Sequence, residues 1–376
     1  MTDLFNLPKL GFGYMRLPNH DGKIDYTELN KMVDEAMKSG VNYFDTAYMY
    51  HGGKSENALK LSVVERYPRE SYIVADKIPA WEINSREDMN KLFAEQLKRT
   101  GLEYFDLYLL HSLEESHMKR YDDKTLDFWG WAQDLKRKGL IRHFGFSFHD
   151  APERLEEILT AHPEVDFVQL QINYLDWENP LVHSGGCYEI ARKYNKPIIA
   201  MEPVKGGALA AMKPELEAQL KAVSPDRSIA SWAIRFCLSL DGVVSVLSGM
   251  SAHGQVIDNI STVNNFAPFN EAEKDCLAQV TKALLAAPTI GCTSCKYCID
   301  SCPANINIPD IIAAYNNILT YGEEEDRPHF YYRGLMQNSG TAGSCIKCKK
   351  CEELCPQHLD ITKALEKASA VFDDKS

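Results

Sequence analysis

The sequence predicts an α/β protein, a (β/α)₈ TIM barrel followed by a small, mostly helical domain, and three observations support this class. Eight short β-rich runs alternate with amphipathic helical stretches over the first three quarters of the chain. No G-x-G-x-x-G motif follows the first run, which argues against an open dinucleotide-binding sheet. Polar and titratable residues stand at the carboxyl ends of several different runs, as on the top face of a barrel.

The length of the chain predicts how many domains it forms. At 376 residues it exceeds the roughly 250–300 residues at which a single core stops growing, so we expect two domains. Ala287-Pro288 breaks the helical pattern, which predicts a barrel at 1–287 and a second domain at 288–376.

The net charge of −12, without a long basic stretch, argues against nucleic acid or a membrane surface as partner. The sequence shows no signal-peptide pattern and no bilayer-spanning apolar run, so we expect a cytoplasmic protein.

The predicted junctions between helices and strands share one chemical feature. A glycine stands where four of the helices should end, directly before an apolar run, at Gly40, Gly101, Gly139 and Gly242. Glycine adopts the left-handed conformation of a helix C-terminus at little steric cost, so each predicts a helix-to-strand turn. The eight predicted strands are 9–15, 41–45, 71–77, 104–111, 142–147, 166–173, 196–201 and 243–248. Strands joined by helices form a barrel or an open sheet, and the strand count with the polar strand ends favours the barrel.

The last quarter of the chain holds most of the cysteines. Segments 270–286 and 309–319 predict helices, and the charge run 322–326 predicts a solvated turn. Eight of the eleven cysteines form two C-x₂-C-x₂-C-x₃-C-P runs: Cys292, Cys295, Cys298 and Cys302, and then Cys345, Cys348, Cys351 and Cys355. Without an export signal, such runs indicate metal ligation rather than disulfides. The others, Cys187, Cys237 and Cys276, lie in amphipathic helices and are expected to be buried.

The spacing of these runs favours two [4Fe–4S] clusters. A C-x₂-C-x₂-C loop can wrap three corners of a cubane, and in two-cluster ferredoxins the fourth thiolate comes from the other run. We therefore expect Cys355 to complete the first set of three and Cys302 to complete the second. Zinc is the alternative, but its sites usually pair two C-x₂-C units. The region resembles the bacterial-type dicluster ferredoxins, and its long helical middle segment resembles the α-helical ferredoxin modules of larger reductases.

Four residues near successive strand ends suggest a carbonyl-reducing site. Asp45 and Tyr50 end or follow the second predicted strand, Lys77 ends the third and His111 ends the fourth. Reducing a carbonyl with hydride needs a proton donor at the oxygen, and a tyrosine is too weak an acid unless a cation lies beside it. We expect Lys77 to be that cation, Asp45 to hold it and His111 to orient the carbonyl. Each residue alone would be ordinary packing or a surface contact, whereas all four together favour the reductase interpretation.

Over approximately 5–265 the chain resembles the aldo-keto reductases. The tetrad matches, as do Gly11-Phe12-Gly13-Tyr14-Met15-Arg16 in the first strand and Ser248-Gly249-Met250-Ser251 after the eighth. The resemblance implies that Tyr50 is the general acid, that Ser147 and Gln169 hold the carboxamide of NADPH or NADH, and that the last segment holds the adenine nucleotide. The cofactor-binding residues it implies are Tyr14, Met15, Ser147, Gln169, Val204, Gly249, Met250, Gln255 and Asn259.

Three features depart from the family's pattern. Phe148 replaces an asparagine that would be a second partner of the carboxamide, and Met201 replaces an aromatic residue found over nicotinamide in many members. Gly249 and Gln255 align with the lysine and arginine that many members direct at the 2′-phosphate. The sequence therefore leaves the choice between NADPH, NADH and no nicotinamide open.

The two predicted halves pass electrons differently, because clusters carry one electron and nicotinamide delivers a hydride, and no flavin signature joins them. The favoured hypothesis is an NAD(P)H-dependent reductase of a small carbonyl compound, with clusters that are structural, regulatory or a dock for a ferredoxin-like protein. In the second, the clusters feed single electrons to the barrel site. In the third, the barrel is a non-catalytic electron-transfer subunit. Lys347, Lys349 and Lys350 either offset a cluster's charge, the more ordinary role, or meet an acidic ferredoxin.

Overall fold

The computed structural model describes residues 4–20, 23–179, 182–292, 298–299, 301–322, 326–336, 339–355 and 357–373. Its first part is a closed barrel of eight parallel strands in the order β1-β8-β7-β6-β5-β4-β3-β2, closed by the pairing of β2 with β1. The predicted barrel and all eight predicted strands are therefore confirmed. The strands β1 to β8 are Leu10–Gly13, Tyr43–Asp45, Ile73–Pro79, Phe105–Leu113, Ile141–Phe148, Phe167–Gln171, Ile198–Met201 and Val243–Gly249.

Helices connect these strands and continue into the C-terminal region. From α1 to α10 they are Tyr26–Lys38, Ser55–Leu59, Arg86–Thr100, Glu115–Tyr121, Phe128–Arg137, Pro152–Ala161, Ser184–Lys193, Pro214–Val223, Ile229–Leu238 and His253–Asn264. From α11 to α15 they are Glu271–Leu285, Ile308–Tyr321, Asp326–Leu335, Lys350–Glu353 and Ile361–Phe372. The helices predicted at 270–286 and 309–319 are present as α11 and α12. Of the predicted turn 322–326, residues 323–325 lie outside the described residues.

The helix ends follow the chemistry that the sequence predicts. Gly40, Gly101, Gly139 and Gly242 all have positive φ angles, between 72° and 81°. At α3 the backbone N–H of Gly101 donates to the carbonyl of Leu97, which satisfies an orphan acceptor of the last turn. Substituting a residue with a Cβ here would strain a left-handed backbone, so the glycine fixes where the helix stops and the next strand starts.

The barrel interior is filled by side chains that alternate along the strands. Because successive strand residues point to opposite faces, Tyr43 and Ala75 point inward two residues before Asp45 and Lys77. Gly145 leaves room for the ring of Phe167, since a Cβ there would lie 2.8 Å from that ring. Burial of each large apolar side chain stabilises the fold by about 1.5–3 kcal/mol. The interior cluster is Leu4, Leu7, Tyr43, Ala75, Leu107, Leu109, Phe167, Ile199, Val244 and Leu247.

The chain divides into two compact units. The first comprises Met1–Lys205 and Ala230–Phe269, and the second comprises Gly206–Ile229 and Asn270–Ser376. Within the second unit α8 packs on α11, where Ser224 donates to Glu273 at 2.8 Å. Its mostly helical C-terminal core includes buried residues of α12 and α15 together with Cys298 and Cys351. The boundary between 287 and 288 stays a prediction.

Two further observations concern cysteines and membranes. Cys187, Cys237 and Cys276 are buried, as the sequence predicts. None of the ten cysteines within the described ranges forms a disulfide. Among the helices of the described residues, none is both long and apolar enough to cross a membrane.

Candidate active site and cysteine pocket

The barrel brings the four residues of the predicted tetrad together. Asp45 is the last residue of β2, Lys77 lies in β3, His111 lies in β4, and Tyr50 lies in the turn after β2. The Lys77 ammonium donates to Oδ1 of Asp45 at 2.5 Å and to the carbonyl of Thr46 at 2.7 Å. Its Nζ lies 5.1 Å from the centre of the Tyr50 ring. The rings of Tyr50 and His111 meet edge to face, with centroids 5.9 Å apart and planes at 79°.

Lys77 is a buried cation held by a carboxylate. Its side chain is only 1% exposed. Burial works to lower the pKa of Lys77, but the charge of Asp45 and the nearby Tyr50 outweigh burial, so the pKa is raised above its usual value. Lys77 therefore stays positively charged at neutral pH, as a group that stabilises a developing negative charge must.

Tyr50 is the residue that the sequence predicts as the proton donor, and burial and nearby charges act on its phenol. Burial raises the pKa of Tyr50, Lys77 opposes this shift, and Asp45 adds to it. The effect of the lysine thus has the predicted sign, but burial outweighs it because the nearby carboxylate offsets part of the cation's field. At neutral pH the phenol consequently keeps its proton, which a general acid must carry before it reacts.

His111 is a neutral group beside that phenol. Burial and, next, the charge of Lys77 hold the pKa of His111 well below its usual value, so the imidazole is uncharged at neutral pH. Its Nδ1 is buried and has no hydrogen-bond partner among the described residues. The ring of Trp81 lies 5.5 Å from the His111 ring, centroid to centroid, and 4.5 Å from that of His117. A neutral imidazole here can orient a carbonyl oxygen by hydrogen bonding.

The residues expected at the nicotinamide carboxamide lie on neighbouring strands. Ser147 of β5 pairs in register with Gln169 of β6, and both are buried. The amide nitrogen of Gln169 donates to Oδ2 of Asp45 at 3.1 Å, while its Oε1 has no partner among the described residues. The Ser147 hydroxyl accepts the backbone N–H of Ser112 at 2.7 Å and can still donate. A carboxamide both donates and accepts hydrogen bonds. Oε1 of Gln169 can accept and the Ser147 hydroxyl can donate, so these two residues fit the carboxamide of a nicotinamide cofactor.

The remaining cofactor-binding candidates occupy less uniform positions. Tyr14 is fully buried, and its hydroxyl is hydrogen-bonded to Ser62 at 2.8 Å, so its side chain belongs to the packing behind the strand. Met15 is 52% exposed, and Met250 is buried. Val204 lies in the turn after β7 and is partly buried.

The expected adenine-nucleotide segment follows β8. The side chain of Arg16 packs on Gly249, where a Cβ would lie 3.2 Å from its Cδ. Gln255 accepts the backbone N–H of Ser251 at 2.8 Å, and Asn259 donates to the Ser248 hydroxyl at 3.0 Å. Gln255 and Asn259 therefore shape the loop and the start of α10 in this structure.

The second unit contains a pocket lined by cysteines of both runs. The residues that line it include Cys302, Cys345, Cys348 and Cys351. This is the set that crossed ligation predicts for the second cluster. In the part of the chain that the structure describes, no three Cys, His, Asp or Glu side chains converge to hold a single metal ion. Four cysteines at one pocket agree with the ligand set expected for a [4Fe–4S] cluster, which is held by four thiolates.

The cysteines expected around the first cluster are only partly described. Cys298 is buried, while Cys292 and Cys355 are partly buried against the same core. Cys295 lies outside the described residues. The first set therefore remains a prediction from its spacing.

These sites define a class of protein. A family model for the aldo/keto reductase family matches residues 9–281, and a model for the 4Fe-4S dicluster domain matches residues 291–360. The chain therefore belongs to the aldo/keto reductase family, and it is an oxidoreductase that carries a C-terminal 4Fe-4S domain.

Relatives and solved structures agree with this assignment. The chain is 27% identical over 294 residues to "Uncharacterized oxidoreductase YqkF" of Bacillus subtilis, covering 70% of this chain and 89% of that protein. It is 25% identical over 325 residues to "NADH-specific methylglyoxal reductase" of Escherichia coli, covering 75% and 97%. The fold matches aldo-keto reductase AKR11C1 from Bacillus halodurans in its holo form with a TM-score of 0.59 at 24% identity, covering 72% and 91%.

Several features of the site were not predicted from the sequence. The carbonyl of Thr46 accepts from Lys77, and no side-chain pattern signals a backbone acceptor. The contact between Gln169 and Asp45 joins residues 124 positions apart, although strand alternation points both of them inward. The rings of Trp81 and His117 contact each other beside His111, and no motif in the sequence predicts this contact.

Proposed function

We propose that this protein reduces an aldehyde or ketone to an alcohol with NADPH or NADH, and that Tyr50 donates the proton. The observation that carries the proposal is the buried ammonium of Lys77, held by Asp45 and Thr46 below the Tyr50 ring. A bare tyrosine would be a poor acid for this reaction, and the adjacent cation stabilises the phenolate that remains after proton transfer.

Each residue of the tetrad has a separate task in the proposed reaction. The neutral imidazole of His111 orients the substrate carbonyl, with its oxygen next to the Tyr50 hydroxyl. The Tyr50 proton passes to that oxygen, and a proton from solvent restores it after the alcohol leaves. The bound nicotinamide would supply the hydride to the carbonyl carbon. Ser147 and Gln169 would hold the carboxamide, because Oε1 of Gln169 is the buried acceptor that lacks a partner among the described residues.

The proposal includes two [4Fe–4S] clusters with crossed ligation in a cytoplasmic protein. The pocket shared by Cys302 and three cysteines of the second run supports one of the two sets. Thiolate-bound clusters suit a reducing compartment. A small carbonyl compound is the substrate, and a ferredoxin-like protein is the proposed redox partner.

The test is cofactor oxidation by anaerobically purified protein whose iron and sulfide have been quantified. NADPH and NADH are offered separately with methylglyoxal and other small aldehydes. We expect carbonyl-dependent oxidation of one nicotinamide, and a loss of about 10²–10⁴-fold in kcat for Tyr50→Phe. Tyr48→Phe, in the same turn, is the matched control and should retain activity. If the cluster-loaded protein binds neither nicotinamide, the proposal fails.

One observation favours a second candidate function, in which single electrons from the clusters reduce the substrate. Phe148 is a buried phenylalanine at the position where the family's pattern has a carboxamide-binding asparagine, which weakens the nicotinamide site. Reduction with a low-potential donor while cluster absorbance is followed separates the two. Carbonyl-dependent reoxidation of the bleached clusters, without nicotinamide, is the result that favours single-electron reduction.

A further inference from the structure

The segment between the first and third cysteines of the second run, 346–350, is exposed. The side chains of Lys347 and Lys349 are 63% and 66% exposed, and Ile346 is 66% exposed. Cys348 and Lys350 are exposed as well. The segment therefore presents one exposed apolar side chain, that of Ile346, among three exposed lysines.

The same segment, 346–350, also forms a wall of the cysteine pocket. Ile346, Cys348 and Lys349 line the pocket on one side and face solvent on the other. A redox group held by these cysteines would lie directly below the protein surface. A partner that covers the segment would therefore lie directly over that group.

The charge of the segment is opposite to that of the chain. Three lysines stand within four positions of a protein whose net charge is −12. Lys347 pairs with Glu366 at 3.2 Å, and an exposed pair of this kind contributes only about 0–1 kcal/mol. Lys349 pairs with the mostly buried Glu352 at 3.7 Å, which is longer than a hydrogen bond. Because such pairs exchange readily with solvent and other anions, the lysines remain able to contact a negatively charged protein.

We propose that segment 346–350 is the docking surface for an acidic, one-electron carrier protein, with Ile346 at its apolar centre. One electron leaves the carrier and is taken up at the pocket of Cys302, Cys345, Cys348 and Cys351, with no covalent bond made or broken. The inference rests on the cluster loading in the proposed function and adds the partner's chemistry and its binding site. The lysines then steer the carrier by charge, and Ile346 makes the close contact.

Binding of an acidic [2Fe–2S] ferredoxin to the cluster-loaded full chain tests this inference. Affinity is measured by calorimetry at low and physiological ionic strength for the wild type, for K347E/K350E and for the matched control K274E/K282E. The control changes the net charge equally, at exposed lysines of α11 in the same unit. We expect salt-sensitive binding that weakens about tenfold or more in K347E/K350E and stays near the wild-type value in the control.

Further measurements separate docking from an effect on the cluster alone. Iron content and the cluster reduction potential are compared for all three proteins. If the lysines only offset cluster charge, K347E/K350E will shift the potential and leave the affinity unchanged, which overturns the inference. Absence of binding by the wild type, or an equal loss of affinity in the control, also overturns the inference.

Ile346→Asn should weaken binding without altering its salt dependence. The nicotinamide assay contains no carrier, so its outcome reports on the proposed function separately.

Discussion

The ammonium of Lys77 lies 2.5 Å from Oδ1 of Asp45, and both side chains are buried at the ends of neighbouring strands. A buried charge is stable only with its partner, because removal from water costs several kcal/mol per ion. The pair consequently couples the stability of the barrel to the chemistry of the site. Asp45 and the carbonyl of Thr46 together hold the Lys77 ammonium beside Tyr50.

Breaking this pair should cost far more stability than breaking a surface pair. Asp45→Asn leaves Lys77 buried without its counter-charge, and we expect a loss of about 3–5 kcal/mol in the free energy of unfolding. Asp34→Asn removes a pair with Arg66 that is half in solvent, and it should cost about 1 kcal/mol or less. Urea unfolding followed by circular dichroism gives both values. Equal losses in the two variants would contradict the assigned role of the buried pair.

A second buried contact predicts how stability changes with pH. Glu56 and Asp76 are fully buried and contact each other, and each has one oxygen without a hydrogen-bond partner among the described residues. Burial and, next, the charge of Glu56 raise the pKa of Asp76 well above its usual 3.8. One proton shared between the two carboxyl groups would satisfy both orphan oxygens.

A carboxyl group whose folded pKa is raised binds more protons in the folded state than in the unfolded state. The stabilising proton is therefore fully bound at low pH, and stability falls as pH rises from about 4 through the folded pKa. In Asp76→Asn an amide donor replaces the proton, so we expect a smaller decline in unfolding midpoint between pH 5 and 9. Asp106→Asn, a buried carboxylate on β4 paired with Arg69, is the control and should keep the decline.

Much of the fold follows from local chemistry, whereas the site depends on long-range geometry. Glycines such as Gly101 adopt the left-handed backbone at which helices end, so the boundaries between helices and strands can be predicted from the sequence. The tetrad is predictable because β2, β3 and β4 present their ends at one face. The net shift in the pKa of Tyr50 could not be predicted from the sequence, because it is the balance of burial and two opposite charges. Likewise, no sequence pattern in α8 or α11 predicts that these two helices pack on each other.

The orphan oxygen of Gln169 predicts a selective effect on cofactor binding. Gln169→Met removes the acceptor proposed for the carboxamide, and we expect NADH or NADPH to bind about tenfold more weakly, in keeping with a lost buried hydrogen bond. Gln133→Met removes another amide with a buried orphan atom, in α5, and should leave the dissociation constant unchanged. Fluorescence titration measures both. An unchanged constant in Gln169→Met would remove the structural basis for the nicotinamide fit.

The last prediction concerns the crossed ligation of the two clusters. In a variant with Cys345, Cys348 and Cys351 all changed to alanine, only the cluster of the first run should remain, with about half the iron. Adding Cys302→Ala should then leave the electron paramagnetic resonance spectrum of the reduced cluster unchanged, because Cys302 lines the pocket of the other three thiols. Adding Cys355→Ala should perturb or abolish that spectrum.

Uncrossed ligation would give the opposite result, with Cys302→Ala perturbing the remaining cluster and Cys355→Ala leaving it intact. Cys276→Ala serves as control, since this buried cysteine lies in α11 outside both runs. Burial raises the pKa of the Cys276 thiol, so it stays protonated and makes a poor ligand. A change in iron content in that control would mean that the alanine substitutions act through folding of the unit and not through ligation.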